Sequence, residues 1–300
     1  MCADVQLQLC YNQIIQLLFL RAECYSARNL KDKNMKKIIS LVFLLLTFCK
    51  GNATSTFTIT DTIEMRVTYN LRFVAYRGWE NAPFDDKYIV EIGKHICHSY
   101  SENEYQYEKQ LNENYQKIGK RGSIVDKYYA KLGEMFIGYP QDNMITVHTS
   151  MDAAGLFVHT EKDKAIRWHI INEKTIIMGY ECTKALCSYA GRDYVAWFAS
   201  DIPVSYGPWK FKGLPGLILR ISDTKNEYVF ECSSFTKCMD ETFVCSNNGC
   251  KEVSKSKLKV YQSVLCKTPA TFLSNYGMKL SFGGDDGDLM GKEPNPIELK

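Results

Sequence analysis

Residues 201–221, DIPVSYGPWKFKGLPGLILRI, constrain the possible fold more than any other stretch of the chain. Leu214-Pro215-Gly216-Leu217 places proline where a type II turn needs φ near −65°. Gly216 then falls at the third position, where φ is positive. Gly207-Pro208 makes an earlier break, and Gly213 precedes the second. After the turn, Leu217-Ile218-Leu219-Arg220-Ile221 reads as a short apolar strand. Trp209 and Phe211 are two residues apart and share a side if that piece is extended. The segment is expected to be a folded-over loop with an aromatic anchor, turned by Gly207, Pro208, Gly213, Pro215 and Gly216, that feeds a buried strand.

The string Gly213-Leu214-Pro215-Gly216-Leu217-Ile218 resembles the motif that names the GLPGLI family of exported proteins, typical of Bacteroidota. Further pieces resemble the family pattern in order. They are Gly179-Tyr180-Glu181-Cys182-Thr183-Lys184-Ala185, Gly191-Arg192, Ala196-Trp197-Phe198, Asp201-Ile202-Pro203 and Gly207-Pro208-Trp209-Lys210-Phe211. Glu91-Ile92-Gly93-Lys94 and Asn295-Pro296-Ile297-Glu298 also fit. The resemblance covers most of the chain after residue 54. It implies an exported protein of the cell envelope and leaves the biochemical function open.

Export is also legible locally. Met35-Lys36-Lys37 is a basic start, and residues 38–48 are an apolar run, interrupted only by Ser40 and Thr47, with the length of a signal-peptide core, short for a bilayer span. Gly51 and Ala53 place small residues before a cleavage point after Ala53. A lipoprotein signal using Cys49 ranks second, because bulky Phe48 precedes it, and a transmembrane anchor ranks third. Residues 1–34 would then be a mis-called extension before the true start at Met35, with an amphipathic helix over residues 5–20 as the alternative. Residues 54–300 form one domain ending in a flexible tail from 281. The mature chain would carry no transmembrane anchor.

The full chain has 37 basic and 34 acidic residues, but seven of the former and three of the latter lie in residues 1–53. The remainder is close to neutral, so charge gives no argument for nucleic acid. Eight cysteines follow Ala53, five of them between 232 and 266. In an exported chain these favour disulfides, with about 105 pairings open for eight. One bridge involving Cys245 with Cys250 or Cys238 is expected.

Alternating apolar residues from Ile63 to Ala75 give the longest strand signal. Shorter strands follow at 88–92, 95–100, 144–150, 156–160, 165–171, 175–180, 184–189, 194–200 and 228–233, with turns at 152–155, 161–163, 172–174 and 191–193. This spacing predicts an antiparallel meander. Residues 102–138 instead place Tyr107, Leu111, Tyr115 and Ile118 at helical spacing, which predicts helices interrupted by Gly119 and Gly122. Thr268-Pro269 opens a second helix through 276. The fold class is mainly β (α+β): a curved, half-barrel-like antiparallel sheet with a few helices on one side.

Motifs for chemistry are sparse. His95, Cys97 and His98 are metal-ligand types, but on a strand they do not converge, and a metal site is ranked well behind none. His148 and His159 read as a surface cross-strand pair, and His169 beside Trp168 as a packed aromatic. No nucleophile elbow, Walker loop or dinucleotide fingerprint is present, so no cofactor and no catalytic residue is assigned. Arg192 reads as a brace to Asp201 or to a backbone carbonyl, ahead of an anion site with Lys210. Trp197, Trp209 and Phe211, with Arg192 and Lys210, make the candidate ligand site, an apolar groove beside the glycine–proline turns. The leading function is non-enzymatic binding of an apolar ligand, a peptide or an envelope partner. A hydrolase-like enzyme needs a histidine in reach of a carboxylate or nucleophile, and a purely structural role is the third alternative.

Overall fold

Strand β1, Thr58–Phe73, runs through the middle of a large open sheet in the computed structural model, which describes residues 58–118, 131–151, 154–267 and 293–300. Its burial alternates with period two, as the sequence pattern requires. The other strands are β2 (Phe84–Gly93), β3 (Cys97–Ser101), β4 (Glu134–Ile137), β5 (Met144–Ser150), β6 (Leu156–Lys162), β7 (His169–Ile177), β8 (Tyr180–Tyr189), β9 (Arg192–Ala199), β10 (Leu217–Asp223), β11 (Tyr228–Lys237), β12 (Thr242–Ser246) and β13 (Lys251–Glu252). Helix α1 spans Glu102–Ile118 and α2 spans Lys255–Lys267. The 13 strands form one curved, unclosed sheet in the order β13-β6-β5-β4-β3-β2-β1-β11-β10-β9-β8-β7, with β12 on the first half of β1. Pairing is antiparallel apart from the two-residue contact of β13 with β6. The mainly β reading therefore holds.

Some element boundaries differ from expectation. Residues 134–137, placed in a helical stretch by the sequence pattern, form β4, because both neighbours β3 and β5 take up its backbone bonds. The turn expected at 172–174 is a bulge inside β7. The chain reverses instead at Met178-Gly179, both with positive φ. Helix α2 is absent from the sequence reading, although Leu258 and Leu265 lie seven residues apart and are buried against Met151, Ala154 and Phe157. The helix expected at 268–276 and the whole of 1–53 lie outside the described residues.

One face of the sheet carries the main core, with Val67, Tyr69, Leu71, Tyr88, Val90, Leu217, Leu219 and Phe230. The loop 201–216 folds over onto that core. Trp209 and Phe211 are 2% and 0% exposed, and their rings meet edge-on at 5.2 Å. Tyr194 packs against Phe211 at 4.7 Å. The loop is stitched down by Leu217 N–H to the Ile202 carbonyl (3.0 Å), Ile218 N–H to that of Tyr206 (3.1 Å) and the Trp168 indole to that of Lys212 (2.9 Å).

Glycine acts in this loop differently from the expected type II turn. Gly213, at φ +93°, and Trp209, at φ +53°, are the left-handed residues of the loop, and Gly216 is not among the positive-φ glycines. A Cβ on Gly216 would collide with the Ala199 carbonyl and lie 2.6 Å from its carbon, so the constraint there is backbone contact.

Arg192 holds the closing residues in place. Its guanidinium donates to Asp223 Oδ2 (3.0 Å), Glu227 Oε2 (2.5 Å), Asn295 Oδ1 (2.7 Å) and the carbonyls of Pro296 (2.9 Å) and Ile297 (3.2 Å). It is a brace, as expected, but to these groups and not to the exposed Asp201. Replacing Arg192 by alanine leaves two carboxylates without their partner and should cost about 3–5 kcal/mol in urea unfolding. Arg192→Lys should recover little, because a point charge cannot span five acceptors.

No disulfide joins Cys97, Cys182, Cys187, Cys232, Cys238, Cys245 and Cys250. The expected bridge is not formed in this structure. Cys97, Cys182, Cys187 and Cys232 are instead distributed as small apolar side chains through the main core.

Candidate functional site

On the face of the sheet opposite the main core, strands β1 to β5 contribute one line of polar side chains. Register places Arg66 of β1 opposite Glu91 of β2, Glu91 opposite His98 of β3, and Glu134 of β4 opposite His148 of β5. His98 Nδ1 lies 2.9 Å from Glu91 Oε2 and its Nε2 lies 2.9 Å from Glu134 Oε1. Glu134 Oε2 meets His148 Nδ1 at 3.2 Å. Arg66 closes the other end, with Nε and Nη2 on Glu91 Oε1 at 2.9 and 2.7 Å. Phe136 stacks on the His98 ring at 4.5 Å and 4°, and Phe243 of β12 covers it at 5.0 Å.

The protonation of this line follows from its partners. Burial works against a charged His98, but the bonds to Glu134 and Glu91 outweigh it and hold its pKa above the usual value. With a carboxylate at each nitrogen, His98 donates on both sides. Burial would also raise the pKa of Glu134, but the hydrogen bonds from His148 and His98 bring it down to about 2. Glu91 is likewise lowered, burial being overcome by His98 and Arg66. An ionised Glu134 accepts a hydrogen bond from the Nδ1–H of His148. In the neutral ring Nε2 is then an acceptor, and it is buried without a hydrogen-bond partner among the described residues.

His148 lines a cavity of about 380 Å³ beneath α1. Its other walls include Tyr100, Glu104, Tyr105, Glu108 and Ser150. Helix α1 is positioned there by its N-terminus. Ser101 Oγ caps Glu104 N–H at 3.1 Å, and Asp86 accepts from Ser101 Oγ at 2.6 Å and from Asn103 N–H at 3.3 Å. Burial pushes the Glu104 carboxyl up to about 8, against the pull of Lys131 and of the Gly133 N–H. Ser150 Oγ donates to Glu108. A larger cleft of about 1220 Å³ lies beside α1 over the outer residues of β1, β2, β10 and β11, lined by Asn70, Arg72, Lys87, Gln106, Arg220 and Glu231 among others.

The residues singled out in the sequence lie elsewhere. Trp209 and Phe211 are in the core. Half-buried Trp197 lies on β9 under Lys184, whose Nζ is 5.6 Å from the ring centre. Lys210 is bound by Glu161 and Glu298, and Lys255 Nζ reaches the same two carboxylates at 2.5 Å each, so the four charges close a ring. Arg192 and Lys210 are thus not brought together on one ligand, and neither cleft described above is lined by Arg192, Trp197, Trp209, Lys210 or Phe211.

His95 is exposed at the β2–β3 turn, Cys97 faces the core and His98 faces away from it, so the three do not converge. Among the described residues no group of three His, Cys, Asp or Glu side chains could hold a metal ion. His148 and His159 are both buried, and they sit on opposite faces because Val147, not His148, pairs with His159. His159 is neutral, burial lowering its pKa to about 4. His169 is exposed at the start of β7 and is not a packed aromatic. The Glu91–His98–Glu134–His148 line escapes sequence reasoning. Its only sequence signal is a histidine within each of two apolar strands.

Residues 190–220 match a family model described as "Protein of unknown function (Porph_ging)". That stretch contains β9 and the whole folded-over loop. Curated proteins give no match. Among solved structures, PNGF-II in a C2 crystal form aligns at 15% identity and TM-score 0.42 over 68% of this chain and 33% of its own. Its P21 form gives 14% and 0.42 over 66% and 33%. An uncharacterized conserved protein from Thermus thermophilus gives 6% and 0.31 over 63% and 90%. The chain spans about a third of the length of the PNGF-II structures.

Proposed function

We propose that this is an exported cell-envelope protein of the GLPGLI kind that binds a small ligand in the cavity under α1. The observation that carries the reading is His148. One ring nitrogen is fixed by Glu134 at 3.2 Å, while the other is buried, unpartnered among the described residues and part of a residue lining the cavity. An unsatisfied buried acceptor costs about 1–3 kcal/mol, which a ligand donor would recover. The basic start and apolar run of residues 35–48, with small residues at 51–53, support export and cleavage before Thr54.

Native mass spectrometry of protein taken from the envelope fraction tests both parts. It should show a chain beginning at Thr54 and a non-covalent small-molecule adduct that is lost when Leu156→Trp fills the cavity. An uncleaved chain would overturn export, and no adduct, or one that Leu156→Trp leaves in place, would overturn the pocket.

Acid–base catalysis is a second reading, favoured by one observation. A histidine oriented by a carboxylate, with its other nitrogen unpartnered among the described residues, is the arrangement of a general base, and Glu104 is a near-neutral acid lining the same cavity. Turnover of the adduct, abolished in His148→Gln, would select this reading. Binding without turnover would select the first.

A further inference from the structure

We infer that the cavity under α1 takes its ligand through a protonated amine, with His148 Nε2 and the carboxyl of Glu104 as its acceptors. This deepens the pocket reading and rests on it.

Donors and acceptors around the cavity are unequal. His148 is 5% exposed, and Nδ1 faces Glu134, so in the neutral ring Nε2 is the acceptor. The hydroxyl protons of the two serines in the wall are committed as well, Ser150 to Glu108 and Ser101 to Asp86. The wall holds four glutamates, Glu104, Glu108, Glu113 and Glu134, against one lysine, Lys109. Glu134 is already bonded to His98 and His148, so the groups that face an entering ligand are the His148 Nε2 acceptor and the Glu104 carboxyl, which becomes an anion once its proton is released. A donor-rich cation is matched to them, and a carboxylate or phosphate is not.

Two further features suit an alkylammonium. The rings of Tyr100 and Tyr105 stand 4.8 Å apart in the cavity wall, and a cation over such faces is attracted by the ring quadrupole. Leu156 adds an apolar wall for a short chain. About 380 Å³ is a small-molecule volume, too little for a folded partner.

Glu104 is faced by Glu108 on its own helix, by Asp86 of β2 and by Lys131 before β4, and it keeps its proton near neutrality. A cation beside it favours the charged form, so binding should release a proton.

The test uses three probes of equal length at pH 7: n-hexylamine, hexan-1-ol and hexanoate, titrated calorimetrically into the mature protein. Hexylamine should bind saturably, hexanol at least about tenfold more weakly for want of the charge-assisted contacts, and hexanoate not at all. Heats measured in two buffers of different ionisation enthalpy should show proton release for the amine. Glu104→Gln removes a carboxyl that is already protonated, so the fold is kept. It should abolish the proton release, and His148→Gln should weaken amine binding by about tenfold.

Hexanoate binding as tightly as hexylamine would overturn the inference, as would amine binding that neither substitution changes. Failure of all three probes would overturn it too. An envelope-derived adduct sensitive to Leu156→Trp would then still leave the pocket standing, with a different ligand.

Discussion

Gly216→Ala is expected to lower the thermal midpoint by roughly 10 °C, equivalent to about 3 kcal/mol or more for a domain of this size. The added carbon would overlap the carbonyl oxygen of Ala199, and would sit 2.6 Å from its carbon and 2.9 Å from Ser200 Cα. All three are backbone atoms and cannot swing aside. Leu217 pairs with Ala199 at the first position of the β9–β10 ladder, so relief requires parting those strands where they begin. That would also strain the bond from Leu217 N–H to Ile202 and the bond from the buried Tyr69 hydroxyl to the Ile218 carbonyl. Gly213→Ala is the informative control. Its neighbourhood is open, with Trp168 Nε1 nearest at 3.8 Å, but its φ is +93°. It should cost only the left-handed penalty of about 1–2 kcal/mol. Circular dichroism melting of the two variants checks the order, and a Gly216→Ala midpoint within about 2 °C of the parent would refute the close contact as the constraint.

His98→Ala should be as damaging, by about 3–5 kcal/mol, because it strips the shared donor from Glu91 and Glu134 and leaves two carboxylates facing each other. The loss should depend on pH in a particular way. The pKa of His98 is raised in the fold, so its contribution is complete below its ordinary value of 6.5 and fades as pH rises through the folded value. Glu91 and Glu134 are lowered, so theirs is complete above about 4.5 and fades as pH falls, for Glu134 toward about 2. The gap between parent and His98→Ala should therefore be widest between about pH 4.5 and 6.5 and narrow on both sides. Urea midpoints across about pH 3–9 would show it, and a gap that is flat over that range would mean the line is not ionised as described.

The fold was legible where burial alone decided the pattern. The alternation from Ile63 to Phe73 marked the central strand, and the apolar run after Gly216 marked β10. Pieces whose identity depends on neighbours were not legible. Four residues, Glu134–Ile137, suit either helix or strand, and only β3 and β5 decide it. Gly216 looked like a φ requirement because sequence shows the turn residue and not the strand passing beside it. The folded-over loop was foreseen, but Trp209 and Phe211 fill the core.

The candidate site was the least legible part. Glu91, His98, Glu134 and His148 come from four strands, with up to 36 residues between consecutive hydrogen-bonded partners. Only strand register puts them on one face, and a one-residue slip in any strand would scatter them. Arg192 was recognisable as a brace from its place after a turn, but its acceptors at 223, 227 and 295–297 were not.

At the centre of the proposed pocket, Glu134 holds one nitrogen of His148, and the other is buried without a hydrogen-bond partner among the described residues. Nitrogen-resolved NMR of histidine-labelled protein at neutral pH reads this directly. A proton should be found on His148 Nδ1 and none on Nε2, with the Nε2 signal lost in His148→Gln. A resonance showing the proton on Nε2 instead would contradict it.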